Sequence, residues 1–474
     1  MPTIAETLAE HVVRVKYENI FPDTIHEIKR GILDTLGCCV GGLSMDKGRL
    51  AAETAKRFGG PPEATIIGTG AKVSCVNAVL ANGESANAED WSGGCAFHDV
   101  PIVTTTALAL TESTGASGRD LLTAAAVGLE ISGRIGRGGA TPYSPITEGP
   151  DRGAIHWDSV TGMAHGTFGA AAAAGKLLRL DAAQAANAIG IAGFICPPQT
   201  FRKFNFTTPI SMAKYAPLGW VAHAGVSAAL MAQSGYTGDT KLFEGDYGYG
   251  RYTGVLHWRP DRILHNLRET VPRLRLFFKV YPMGRILPGA IDNLLIIMQK
   301  NQFQPEAIDR VTAKIHILGS FPCFTENRLE TQEDYCFHAA YALSCAAHGI
   351  PPDRWHADET RHNPDIRAFM EKINIVFDEK QDGLAMIEDS QARPMWVEVQ
   401  AGGKTFRSES SHIVGSYHPD EFRMTDEMLK AKFRASALRR LPPENVEKVE
   451  KMVFTLEKLE NTADLMKWVS AVSL

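Results

Sequence analysis

Gly169-Ala-Ala-Ala-Ala-Ala-Gly-Lys-Leu-Leu-Arg-Leu180 holds five consecutive alanines, Ala170 to Ala174. Alanine is the strongest helix former, so the stretch reads as a helix with an almost bare backbone surface. Such a helix can lie close against another. Asp181 opens the next helix, Ala182 to Gly193, with Gln184 at its third position as a capping box has it. Ala224 to Ser234 is another. Leu121 to Ile135 and Ile25 to Gly42 repeat apolar residues at the helical period; in the second these are Ile25, Ile28, Ile32, Leu33, Leu36 and Val40. Residues 1–270 therefore read as a compact bundle of helices stacked on helices.

The pattern changes after Arg273. Val311 to Leu318 alternates, as a half-buried strand does, and Ile373 to Phe377 looks similar. Met395 to Val399 leads through Gly402-Gly403 into Lys404 to Arg407, which reads as a β-hairpin. Helices are expected near Pro288 to Gln299 and Tyr335 to Ala347. Residues 271–410 thus form an α+β unit. From Thr425 the chain turns helical again, over Thr425 to Arg440, Pro443 to Glu457 and Ala463 to Val472. The expected fold is mostly α. A large helical domain is built from both chain ends, 1–270 and 411–474, with a smaller α+β domain inserted. Thr141 to Asp158 and Phe201 to Pro209 read as irregular stretches.

The chain has 474 residues, 44% apolar and 22% charged, which excludes disordered and fibrous classes. Its net charge of −5 argues against a surface made for nucleic acid or an anionic membrane. The eight cysteines show neither CxxC nor a zinc ladder and read as free thiols in a reducing compartment. The first residues, with Glu6, Glu10 and His11, read as an amphipathic helix and not a targeting segment. The expected setting is the cytoplasm.

Gly133-Arg-Ile-Gly-Arg-Gly-Gly139 resembles a phosphate loop only in composition. No strand precedes it and it ends a helix, so helix termination is the reading. No P-loop, HExxH or GxSxG motif is present. The chemistry-bearing candidates are polar residues beside apolar helices. Asp90 and His98 are presented by a glycine-bearing loop over Ala81 to Pro101 that separates two helices, and histidine is easily tuned for proton transfer near neutrality. Lys214 precedes the small-residue stretch Ala222 to Ala229. Lys279 and Arg285 bracket Tyr281-Pro282, where two cations could hold a carboxylate.

Taken in order, these pieces resemble the MmgE/PrpD family. The resemblance rests on Ile32 to Gly42, Val79 to Gly83, Asp90-Trp91 with His98, Thr167 to Leu178, and Ser211 to Lys214. Ala228 to Gly238, Phe278 to Pro282, Pro288 to Asp292 and Lys432 to Arg434 extend it over essentially the whole chain. It implies a site between two domains, a homodimer, and neither metal nor organic cofactor. It also implies roles. Asp90, His98 and Lys214 are catalytic, joined by a second histidine for which His156 and His165 compete. Lys279, Arg285 and Tyr341 bind the substrate, His165 beside them. The implied reaction is dehydration of a small polycarboxylate of the 2-methylcitrate type. Decarboxylation of a cis-aconitate-like acid, epimerisation of an iminodisuccinate-like acid, and a non-catalytic carboxylate-binding protein are the alternatives. The chain departs from the family pattern where substrate binds. Ser92 and Gly93 replace two aspartates, and Tyr215-Ala-Pro-Leu follows Lys214 in place of Arg-Leu-His.

Overall fold

A computed structural model describes residues 1–95, 98–139, 144–156, 164–198, 201–215, 217–255, 258–268, 270–326 and 328–470. The alanine-rich stretch is a helix, His165–Leu177, and it lies in the middle of the helical part. Gly118–Gly138 packs on one side of it and Leu218–Gln233 on another. These contacts need missing side chains. A Cβ on Gly128 would stand 2.8 Å from the Gly169 carbonyl oxygen, and one on Gly225 would stand 2.5 Å from that of Thr167. Close backbone approach extends dispersion contact along the whole crossing. Leu218–Gln233 meets Cys75–Ala88 in the same way, with Gly83 against the Gly219 backbone.

The capping box at Asp181 is present. Gln184 N–H donates to Asp181 Oδ1 at 2.8 Å, and Asp181 N–H to Gln184 Oε1 at 3.2 Å, opening Ala182–Ile195. The Gly133 to Gly139 run closes helix Gly118–Gly138, as read.

The helices of the C-terminal segment pack on the first long helix. Asp426–Ala437 lies along Pro22–Gly42, and the Phe433 Cα is 3.3 Å from where a Gly37 Cβ would sit. Lys432 pairs with Asp34 at 2.6 Å, and Lys29 Nζ donates to the Phe454 carbonyl at 3.0 Å.

The β structure is a four-stranded sheet in the order Ile373–Val376, Arg310–Lys314, Met395–Ala401, Lys404–Ser410. The first pair is parallel and the others antiparallel. Gly402 and Gly403, at φ 57° and 73°, make the hairpin turn, which needs positive φ at both central residues. Helix Pro288–Asn301 covers the sheet. The molecule is mostly α-helical, with a smaller α+β part. Among the described residues no helix is long and apolar enough to cross a membrane.

Several expectations differ in detail. Phe201–Asn205, within a stretch read as irregular, is a short helix. The strand read over Val311 to Leu318 stops at Lys314. There the lysine is buried against Asp382, whose other oxygen accepts from the Ile317 N–H at 2.6 Å and draws the chain into a 3-10 turn. The helix expected from Ala463 is regular only to Met466, and residues 471–474 lie outside the described part. Of the loop Thr141 to Asp158, residues 141–143 and 157–158 lie outside it too; between them Ser144–Pro145 pairs with Ile155–His156.

Candidate active site

The site starts where helix Cys75–Ala88 ends. Asp90 follows with φ 52°, a left-handed conformation that side chains other than glycine adopt at a cost of about 1 kcal/mol or more. Lys214 shares it, at φ 47°. Two such residues side by side mark a place where geometry outweighs local comfort. Lys214 Nζ donates to the carbonyls of Asn87 and Ala88, at 2.9 and 2.8 Å. Those carbonyls lie at the negative end of the helix, a natural seat for a cation, and the Asn87 one also accepts from the Asp90 N–H at 3.1 Å.

Lys279 comes from a part of the chain 189 positions away from Asp90. Its Nζ donates to both the carbonyl and the Oδ2 of Asp90, each at 2.7 Å. A short backbone bridge brings it there: Gly94 and Phe277 exchange N–H···O bonds of 3.1 and 2.9 Å. Gly93 N–H donates to Asp34 at 2.7 Å, so the Asp34–Lys432 pair fixes the loop from below. Lys432 also donates to the Trp91 carbonyl at 2.6 Å. Beside Asp90, Glu89 holds Arg439 through two bonds of 2.6 and 2.7 Å. The C-terminal segment thus anchors the loop twice.

His98 is partly buried just before helix Asp99–Thr114. Its Nε2 is 3.0 Å from the Tyr215 hydroxyl, and the two rings stack with centroids 5.0 Å apart. The Tyr215 hydroxyl donates to Asp90 Oδ1 at 2.8 Å and accepts from Asn87 Nδ2 at 2.6 Å. Arg285 stands partly buried over the Phe277 ring, 4.1 Å from its centroid, and donates to Gln391.

The charges act on one another. Burial raises the Asp90 carboxyl, but Lys279, Lys214 and His98 outweigh it and hold it below the usual range. Burial lowers the Lys279 ammonium against the pull of Asp90, helped by Lys214 and Lys432. Burial and then Lys279, Lys214 and Arg285 push His98 down to about 3, with Asp90 opposing. In the ligand-free site His98 is therefore neutral. The site is rich in cations, and the Asp90 carboxylate pairs directly with one of them, Lys279.

Asp90, His98, Lys214 and Lys279 are brought together, and Arg285 is close enough to act on His98. Tyr341 differs from its expected role. It is fully buried, donates to the Trp355 carbonyl and packs edge-on against Tyr335, so its hydroxyl is committed to the backbone. His156 is exposed on the short hairpin, whose Ile155 N–H donates to Glu379. His165 is buried in the first turn of helix His165–Leu177, its ring 3.4 Å from where a Gly136 Cβ would sit. Asn87 and Tyr215 were not singled out from the sequence as site residues. Tyr215 had a signal, since it stands where the family pattern has arginine. Among the described residues no three His, Cys, Asp or Glu side chains converge as metal ligands do.

Residues 6–255 match the model of the MmgE/PrpD N-terminal domain, and residues 281–458 match that of the MmgE/PrpD C-terminal domain. The chain belongs to the MmgE/PrpD family. Its similarity to two mammalian proteins runs nearly end to end. Human cis-aconitate decarboxylase is 24% identical over 98% of this chain and 94% of its own length. The mouse cis-aconitate decarboxylase is 22% identical over 100% and 95%. An Aspergillus terreus cis-aconitate decarboxylase is 26% identical over 49% of this chain and 46% of its own length. At family level the chain is an enzyme of the lyase type.

Proposed function

We propose that this protein is a lyase for a small polycarboxylate and that it acts through a carbanion developed beside a carboxylate. The observation that carries the reading is the convergence of Lys214, Lys279 and His98 around Asp90, with Arg285 nearby. Negative charge that builds onto a substrate carboxylate as a neighbouring bond breaks would meet cations already in place. No metal or organic cofactor is invoked, as the family resemblance implies.

Decarboxylation of a cis-aconitate-like acid is the first reading. The human and mouse relatives that match over nearly their whole length carry that name. The geometry favours it as well. Asp90 has Oδ1 held by Tyr215 and Oδ2 by Lys279, so the central carboxylate is poorly placed to abstract a proton. What the site offers is charge stabilisation and proton supply. The bond to the departing carboxylate breaks, carbon dioxide leaves, and the electron pair stays on carbon. A bound polyanion balances the lysines, so His98 takes a proton from solvent and passes it to that carbon.

Dehydration of a 2-methylcitrate-type acid, the expectation from sequence, is the second reading. The neutral His98 supports it, because a neutral imidazole can accept a proton beside a carboxylate. Lys214 would then protonate the leaving hydroxyl. Incubation with cis-aconitate and with hydroxy-polycarboxylates separates the two. Carbon dioxide release supports the first, and an unsaturated acid formed without it supports the second. Tight binding with no turnover would leave a carboxylate-binding protein. The homodimer and the cytoplasmic setting belong to the same proposal; light scattering tests the dimer.

A further inference from the structure

The hydrogen bonds at Tyr215 can be counted proton by proton. Its hydroxyl has one hydrogen and two lone pairs. Among the described residues it meets Asn87 Nδ2 at 2.6 Å, Asp90 Oδ1 at 2.8 Å and His98 Nε2 at 3.0 Å. The Asn87 amide is oriented by Lys47, which can only donate and lies 3.4 Å from its Oδ1. Nδ2 therefore faces Tyr215 and donates to it. Asp90, ion-paired with Lys279, can only accept, so the tyrosine hydrogen goes to Asp90. The remaining lone pair faces His98, whose Nε2 must then carry a hydrogen. The other ring nitrogen, Nδ1, has Ser92 Oγ at 3.5 Å, a long contact from a hydroxyl able to donate.

We propose that Tyr215 is a positioning residue that locks His98 as the Nε2–H tautomer, leaving Nδ1 as the nitrogen that exchanges protons with the substrate. The inference rests on the lyase reading for its catalytic consequence but not for the tautomer itself. Packing gives the arrangement its rigidity. Tyr215 stacks on His98 at an interplanar angle of 21° and is met edge-on by Phe204 at 5.4 Å and Phe337 at 6.4 Å. Asp90, Tyr215 and His98 are linked by two hydrogen bonds, through which the carboxylate acts on the imidazole by way of a phenol. Hydrogen bonding at the distal nitrogen commonly sets which nitrogen of a working histidine is free. Here a tyrosine found at the departure from the family pattern takes that part.

Nitrogen-15 NMR of histidine-labelled protein tests it, with the His98 signals assigned by loss in His98→Gln. The expected result for the unaltered protein is a proton-bearing Nε2 and a lone-pair Nδ1. In Tyr215→Phe, which keeps the ring stack, both tautomers should populate. Turnover should fall about 10- to 100-fold with KM changed far less, as loss of a positioned proton carrier implies. The alkaline limb of the pH profile should move to lower pH, because the imidazolium loses the acceptor of its Nε2–H. A Nδ1–H tautomer in the unaltered protein, or a Tyr215→Phe spectrum with His98 unchanged, would overturn the proposal. A protein that turns over no polycarboxylate but shows the expected tautomer would defeat the lyase reading and leave this assignment standing.

Discussion

At the scale of single residues, the site is a set of charges that act on one another. Burial and the lysines press His98 down to about 3, so it is neutral when the site is empty. A bound polycarboxylate reverses the sign of its surroundings. Citrate binding near neutral pH should therefore take up a proton, seen as a buffer-dependent binding enthalpy. The uptake should vanish in His98→Gln; equal enthalpies across buffers for the unaltered protein would count against the electrostatic account. The Asp90–Lys279 pair makes a second prediction. Removing one partner of a buried ion pair typically costs about 3–5 kcal/mol. Asp90→Asn should lower stability to denaturant by an amount of that order and leave little activity. How much of this was legible varied by residue. His98, Lys214, Lys279 and Asp90 stood out as polar residues beside apolar helices, and the fold brings them together. Tyr341 matches the family pattern, yet the structure turns its hydroxyl to the Trp355 carbonyl, a bond between positions 14 apart that no spacing announces. Tyr215 was visible only as a departure from the pattern.

At the scale of elements, the small residues decide how the helices meet. Gly225→Val would drive a side chain into the Thr167 carbonyl, and overpacking of that kind costs about 1–3 kcal/mol or more. Gly133 lies in the same class of helix but nothing stands within 4 Å of its Cβ position. Gly133→Ala should therefore stabilise the protein by about 0.5–1 kcal/mol. Thermal melts of the two variants should move in opposite directions. If both are neutral, close backbone packing is not what holds the bundle. Alanine and glycine content announced this packing in the sequence, as did the hairpin at Gly402-Gly403. Helix Cys75–Ala88 was harder to read over its second half. Its polar residues Asn82, Glu84 and Asn87 looked like loop, but each is buried and partnered from another element. Asn82 binds the backbone of Thr65 and Ile67, Glu84 binds Lys47 and the Gly219 N–H, and Asn87 binds Tyr215. Side chains satisfied at long range erase the apolar period by which a helix is recognised.

At the scale of the molecule, the mostly helical class with a smaller α+β part was legible from the switch in period after Arg273. The anchoring of the site loop by the C-terminal segment was not, because Asp34–Lys432 and Glu89–Arg439 join residues more than 300 positions apart. Acid should disturb the whole fold in a defined order. Burial lowers His98, His316, His338 and His356, so the unfolded chain binds more protons than the folded one below about pH 6.5. Stability should fall as pH drops through that range. Asp292, raised to about 6 by burial, and Asp382, also raised by burial, oppose the trend. The lowered carboxylates Glu89 and Asp90 add to the loss only below about pH 4. Urea midpoints flat from pH 7 to 5 would contradict this. The central claim is that the cation cluster makes and quenches a carbanion on a small polycarboxylate. The most direct measurement is NMR of products formed in deuterated water from a panel of such acids, cis-aconitate among them. The account predicts loss of a carboxylate, or of water, with deuterium exchanged at the carbon beside a remaining carboxylate, and no reaction in His98→Gln or Lys279→Met. A folded protein that exchanges deuterium into no acid, or variants that react as well as the parent, would contradict it.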